Sequence, residues 1–597
     1  MGRKAGFALI SAMMFVGLLL SVMTAFYLIT NIEFATNRSA KNSATGFFTS
    51  EAGLNIRADL IRAIFVGYNR PAGTSPSSTS PCIGSNLGTG DFVCSEYTFG
   101  KHRARTYVTE AAGNPIITTI PAGERYQYLS AQEYRYSVNS AARGVDQKVE
   151  AMLELRFKSR LVPLFQFMAF YDKDLEILPG PNMTLNGPVH TNGDLYLESG
   201  ALLTVQGQLT TAGRLYRGRK NTNTCISNSV AVFNPGTATQ LIPSCSNRYQ
   251  VAANQVNGWN GMIQIGVPAV TVPDVGSIDP TAGRIYWDRA DLRLVLRLNN
   301  SNNPDTTNAS TAVEVRNADN SVNTAATTAL TSCAGAIGGR VANNTNTFYS
   351  NREGAFIRML DVDMGGLFNC LQSTNWFSSG KLLSDSTDGG LVFHFSVSGP
   401  NSLAAQSRYG VRLRNAQSLR STVGGAPTIR GLTVVSDQAA YTMGNYNSTN
   451  KRPAAILCDA FNVLSGALTD ASSSGPLSGR TPTNTTVNAA IMAGTDTTGN
   501  VEGLGGQGGA YNGGLENYPR FHENWNGART LTYSGSFVSL GRPRRNAGVW
   551  VFGGTHYTAP VRVWGYDTMF NDAANLPPLS PRFVYLRQEL FVRQFEQ

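Results

Sequence analysis

The rhythm of apolar and polar positions along this chain changes twice. From Phe7 to Ile32 there are 26 residues without one charge, including Met13-Met14-Phe15-Val16-Gly17-Leu18-Leu19-Leu20. At about 1.5 Å of rise per residue, a helix of that length crosses the hydrocarbon core of a bilayer. Arg3 and Lys4 precede it and Glu33 follows, so the bias of basic residues toward the cytoplasm exports everything after the helix. Beyond the membrane, Phe48, Ala52, Ile56, Leu60 and Ile64 recur every fourth residue, which predicts an apolar stripe on a continuing helix. Residues 7–32 are the transmembrane part and 33–66 its amphipathic extension.

After residue 66 the rhythm shortens. Residues 67 to 94 are rich in Pro, Gly and Ser and read as a loop. Tyr134, Tyr136 and Val138 then alternate, Ala142-Arg143-Gly144 turns the chain, and Val149, Met152, Leu153, Leu155 and Phe157 follow. This predicts two strands within a globular part spanning 67–162, the partner that the helix stripe needs. From Pro163, short apolar strands such as Leu195-Tyr196-Leu197 and Leu203-Thr204-Val205 are separated by Asn186-Gly187, Asn192-Gly193, Gly207 and Gly213. Near-regular spacing of this kind predicts a β-solenoid, whose coils turn tightly and bury apolar residues on the preceding coil; a sandwich of short strands is the alternative. Lys451 to Leu457 and Asn488 to Gly494 read as further buried strands, within a β-rich domain from 163 to 580. The fold class is α+β: a long N-terminal helix on an antiparallel sheet, with a large inserted all-β domain.

Composition supports the β reading. Charged residues are only 15% of the 597, while Gly reaches 61, which favours turns and short strands over exposed helices. The formal net charge of +10 sits mainly on Arg, suited either to solubility and ion pairing or to an anionic partner. Cysteines 82, 94, 225, 245, 333 and 370 form three neighbouring couples and Cys458 stands alone. In an oxidising compartment this predicts disulfides Cys82–Cys94, Cys225–Cys245 and Cys333–Cys370. With no C-x-x-C and five scattered His, neither a metal site nor a cofactor is expected.

A short basic leader, Met1 to Gly6, an immediate Phe7, the apolar run and the amphipathic extension resemble type IV prepilins. Phe26-Tyr27-Leu28-Ile29 lacks the small-x-small site of a secretory signal peptide; an uncleaved signal anchor is the other reading. The block from Gly6 to Ala12, with Ser50-Glu51-Ala52-Gly53, is similar to PilX-type minor pilins. The resemblance implies a leader of residues 1–6, cleavage at Gly6-Phe7 by a prepilin peptidase and methylation of Phe7. It further implies inner-membrane insertion with a periplasmic head, then assembly with other minor and major pilins at the cell surface. Major pilins carry Glu at the fifth mature position, whereas Ser11 stands here. Without that carboxylate a subunit pairs poorly with the amine of the one beside it, which implies the pilus tip or the initiating complex. Leu178 to Leu197, Gly513 to Trp525 and Leu531 to Ser536 resemble the large solenoid-bearing competence pilins, which bind DNA. In that family the solenoid is inserted in the pilin sheet, so 581–597, from Phe583-Val584-Tyr585-Leu586 onward, is expected to return to it. The stretch from about 215 to 440 has no counterpart in that resemblance.

Catalytic motifs are absent. Glu516, Arg520, His522, Glu523 and Trp525 crowd an acid, a base and an aromatic together, which suits acid–base chemistry or an ion-paired corner of the fold, and the corner is the plainer reading. Asp172 with Asp174, and Asp361 with Asp363, are thin evidence for a polysaccharide-cleaving site and read as turn caps. Binding is the stronger class. Arg214, Tyr216, Arg217, Arg219 and Lys220 interleave cations with an aromatic, as do Arg284, Trp287 and Arg289, and Arg542, Arg544 and Arg545 form a third group. Such groups suit the phosphates and bases of double-stranded DNA; adhesion and a purely structural priming role are the alternatives.

Overall fold

The computed structural model describes residues 5–65, 70–226, 229–234, 237–243, 245–307, 311–336, 341–377, 379–498 and 511–594. Arg3 and Lys4, expected to belong to a leader, lie outside the described residues. The chain forms two compact units, one made of 1–116, 132–160 and 585–597, the other of 117–131 and 161–584.

The smaller unit is built on α1 (Ala5–Ile64), a single helix of 60 residues. Its first half is exposed, with Phe7, Met13, Met14 and Phe26 all in the open, and it is long and apolar enough to cross a membrane. Its second half packs on β2 (His102–Glu110). The sheet runs in the order β1 (Ser95–Phe99), β2, β4 (Ser130–Arg143), β5 (Val149–Pro163) and the C-terminal strand (Arg582–Gln594). A short β3 (Ile116–Thr119) precedes β4. The alternation of Tyr134, Tyr136 and Val138 places all three in the core, where Tyr136 stacks on Phe157 with ring centroids 5.6 Å apart.

The helix stripe differs from the one the sequence suggests. Phe48, Ile56 and Leu60 are exposed, whereas Gly46, Gly53, Leu54, Ala58 and Ile61 are buried. A four-residue step on a helix of 3.6 residues per turn drifts by about 40° each time, so the every-fourth series winds away from the sheet. The buried face is set by small residues that allow close approach. A Cβ on Gly53 would lie 2.4 Å from the Cβ of Ala104, and one on Gly46 would lie 2.4 Å from that of Glu150. Ser50 Oγ donates to the Ser140 carbonyl at 2.8 Å, and Arg57 reaches the carbonyls of Asp91 and Val93, each at 2.7 Å.

The larger unit is built mainly on parallel ladders. β6 (Ala169–Tyr171), β7 (Leu175–Ile177), β8 (Met183–Leu185), β9 (Val189–Thr191), β10 (Leu195–Leu197), β11 (Leu202–Val205), β12 (Leu209–Thr211) and β13 (Leu215–Arg217) are each three or four residues long. Leu175 pairs with Leu195 and Leu195 with Leu215, Met183 with Leu203, and Ala169 with Val189 and Val189 with Leu209. The corners repeat at the same interval of 20 residues: Asp194 N–H donates to Asp174 Oδ1, and Arg214 N–H to Asp194 Oδ1, both at 2.8 Å. At Gly207 a Cβ would sit 2.2 Å from the Gly187 carbonyl carbon, so only glycine lets these turns stack. A second series, Leu391–Ser398, Leu432–Val435, Ala454–Cys458, Thr485–Ala493 and Thr530–Ser539, is also parallel. Its last member pairs with β6, joining the β6, β9 and β12 ladder and the second series in one 12-stranded sheet.

The segment 117–131, read from sequence with the smaller part, packs in the larger unit. The Tyr126 ring meets Phe167, His190 and Phe583, and Ser130 and Gln166 exchange two hydrogen bonds of 2.7 Å. Cys82–Cys94, Cys225–Cys245 and Cys333–Cys370 are disulfide-bonded, and Cys458 is buried and free.

Replacing Gly53 by Leu forces α1 off the sheet and is expected to destabilise the smaller unit by about 1–3 kcal/mol. Ile56→Ala, on the outer face, should change stability by less than about 0.5 kcal/mol. Denaturant unfolding of the purified chain measures both.

Candidate nucleic-acid interface

Strand alternation sends neighbouring side chains to opposite faces, and β13 divides the first basic group accordingly. Arg217 points inward and is fully buried, donating to the carbonyls of Leu197, Ile242 and Pro243 at 3.2, 3.4 and 3.1 Å. Burial lowers its pKa. Trp287 of the second group is also fully buried, its Nε1 donating to the Ala318 carbonyl at 2.8 Å. Neither side chain reaches a ligand at the surface, so both leave the candidate set; interleaving in sequence had not distinguished faces.

Most remaining cations already hold a carboxylate. Arg219 pairs with Glu198 at 2.8 Å, Lys220 with Asp174 at 2.6 Å, Arg284 with Asp274 at 3.2 Å and Arg289 with Asp388. Arg544 grips Asp279 through two bonds of 2.7 and 3.0 Å. Arg214, Arg542 and Arg545 have no carboxylate at ion-pair distance among the described residues. Arg214 donates to the Tyr216 hydroxyl at 3.3 Å and Arg545 to the Leu403 carbonyl at 3.0 Å.

The fold brings the second and third groups together and leaves the first apart in the ladder. Arg284 and the Asp279 that holds Arg544 both approach Gly276. Asp459 lies beneath them and accepts from the backbone N–H groups of Arg544 and Arg545 at 2.6 and 2.8 Å. Burial pushes its pKa up to about 6. Around the first group, Tyr196 and Tyr216 stack with centroids 4.8 Å apart, and the Arg248 guanidinium lies 5.8 Å over Tyr216. That ring is already engaged, which limits its use as a platform for an unpaired base.

The crowded stretch from Glu516 to Trp525 is interior. Arg520 is paired with Glu353 at 2.5 Å, Glu523 accepts from Ser465 N–H and Oγ, and His522 Nε2 meets Asn462 Oδ1 at 2.9 Å. Burial, then Arg352, Arg520 and Arg480, drive the His522 pKa well down. Arg352 and Arg480, unremarkable in sequence, are as buried as Arg520 and bind the carbonyls of Phe521, Val549 and His556. Glu516, Arg520, His522, Glu523 and Trp525 are all buried. Asp361 holds Arg412 at 3.0 Å, and Asp363 caps the helix Met364–Ser373 through Gly366 N–H. Among the described residues no group of three or more His, Cys, Asp or Glu is placed to hold a metal.

Glu516 is buried, and one oxygen accepts from Leu178 N–H at 2.9 Å while the other has no hydrogen-bond partner among the described residues. Burial raises its pKa to about 7, against the pull of Arg562. A carboxyl held above its unfolded value contributes stability that is complete below about pH 4.5 and lost as pH rises through 7. Glu516→Gln should therefore remove up to about 3 kcal/mol of pH-dependent change between those limits. Thermal melts of both proteins from pH 4.5 to 8 measure the difference.

No family model matches the chain, and no curated protein matches it. Among solved structures, it is similar to the competence-associated pilin ComZ from Thermus thermophilus, with 12% identity, a TM-score of 0.28, and coverage of 93% of this chain and 98% of that one. A TM-score that low carries no inference for this chain.

Proposed function

We propose that this chain is a minor type IV pilin with a large extracytoplasmic β-solenoid head. The observation that carries the reading is α1: one unbroken helix whose uncharged half is exposed and whose other half is held to an antiparallel sheet through a glycine-lined face. That sheet also takes the last strand of the chain. The prepilin-like Gly6-Phe7 junction agrees with it, and Ser11 in place of Glu favours the pilus tip or initiating complex. The 20-residue interval of the short parallel strands supports the solenoid reading. Expression with a prepilin peptidase should trim the chain after Gly6 and methylate Phe7, read by N-terminal peptide mass. An untrimmed chain overturns the pilin reading.

For the head, the ligand favoured by net charge and by the three candidate arginines without an ion pair among the described residues is double-stranded DNA. Among the described residues, no carboxylate lies at ion-pair distance from Arg214, Arg542 or Arg545. Affinity for labelled duplex DNA should fall steeply between low and near-physiological salt. It should fall further when these three residues become Gln. The neutralisation of five other candidate cations favours a second reading, an adhesin whose basic residues serve the fold. Absence of DNA binding at low salt selects that reading and leaves the pilin assignment standing.

A further inference from the structure

Asp174 stands at the corner before β7, and Lys220 follows β13, two rungs further along the ladder. The Lys220 Nζ lies 2.6 Å from Asp174 Oδ2, with the two side chains 16% and 22% exposed. The other oxygen of Asp174 accepts from the backbone N–H of Asp194 at 2.8 Å, which polarises the carboxyl group as an oxyanion donor does. Glu176 lies two residues on, so it shares the face of Asp174. Its side chain is buried, with Oε1 accepting from the Lys220 backbone N–H at 3.1 Å and Oε2 meeting Thr498 Oγ1. Burial favours the protonated form of Glu176, on which Lys220 and Asp174 also act electrostatically. All three line one small polar cavity with Tyr171 and Trp550, with room for about one water.

An ordinary ion pair needs only the first contact. Here an amine and a carboxyl group touch, a backbone donor polarises the carboxyl, and a second, buried carboxyl group lines the same cavity. We propose that the folded chain joins Lys220 to Asp174 by an isopeptide bond, with Glu176 carrying the protons. The ammonium proton passes to the Asp174 carboxylate, leaving the net charge of the pair unchanged. The Nζ lone pair then forms a bond to Asp174 Cγ. Glu176 donates its proton to the departing oxygen and recovers one from the nitrogen. The C–O bond breaks and one water leaves, so the reaction consumes no oxidant or other reagent. The bridge closes a loop between residues 46 apart and ties β7 to the far side of β13, which resists unstacking of the rungs between them. This inference stands independently of the pilin reading.

Peptide mapping of the purified full-length chain, reduced, alkylated and digested with trypsin, tests it. An isopeptide blocks cleavage after Lys220 and gives a branched species in which peptide 174–214 is joined to peptide 220–248, one water lighter than the two apart. That species is expected in most wild-type molecules. Asp174→Asn should give the same branched product by loss of ammonia, Lys220→Arg should give none, and Glu176→Gln should cut its yield many-fold. Recovery of the two peptides unlinked from the wild-type chain, with free cleavage after Lys220, means a salt bridge only and overturns the proposal. Wild-type yield in Glu176→Gln overturns the role of Glu176.

Discussion

Stacking of short strands, rung on rung, is the constraint on which the larger unit depends. A three-residue strand makes too few backbone hydrogen bonds to stand alone, and it persists because it is paired with the strand of the next rung. Every corner must therefore repeat at the same interval. Asp174, Asp194 and Arg214 form one column of corners, and Gly187 with Gly207 forms another in which a side chain would collide with the backbone next to it. Leu175, Leu195 and Leu215 bury the inner face between the columns.

Part of the basic composition is spent inside that framework. Arg217, Arg352 and Arg520 are among the largest fully buried side chains, beside Trp287, Trp525 and Trp550. A guanidinium offers five donors in a planar fork, which suits the unpaired carbonyls of irregular loops. Arg352 alone binds Phe521 and Val549 carbonyls and the Asn517 side chain. At these positions the charge ties loops to the ladder and does not face solvent.

In the smaller unit one helix serves two environments. Its first half is apolar, exposed, and long enough to cross a membrane. Its second half meets a sheet, and shape decides there: glycines at 46 and 53 bring the backbone close, and Ser50 and Arg57 hydrogen-bond to carbonyls of the smaller unit. The larger residues Phe48, Ile56 and Leu60 are left on the outer side.

Local chemistry by itself determined the apolar run from Phe7 to Ile32, the two long strands around Ala142-Arg143-Gly144, and the short strands set off by Asn-Gly turns. These follow from periodicity and turn propensity, which act within a few residues. The choice of helix face, the placement of 117–131, and the pairing of Thr530–Ser539 with β6 came only with tertiary structure, since they join residues far apart in the chain. The candidate site was partly legible: the basic groups could be found, but whether Arg217 turned inward or Lys220 met Asp174 depended on rungs stacked 20 to 46 residues away. Sequence spacing carries no record of that distance in space, because a carboxylate that cancels an arginine need not be near it along the chain.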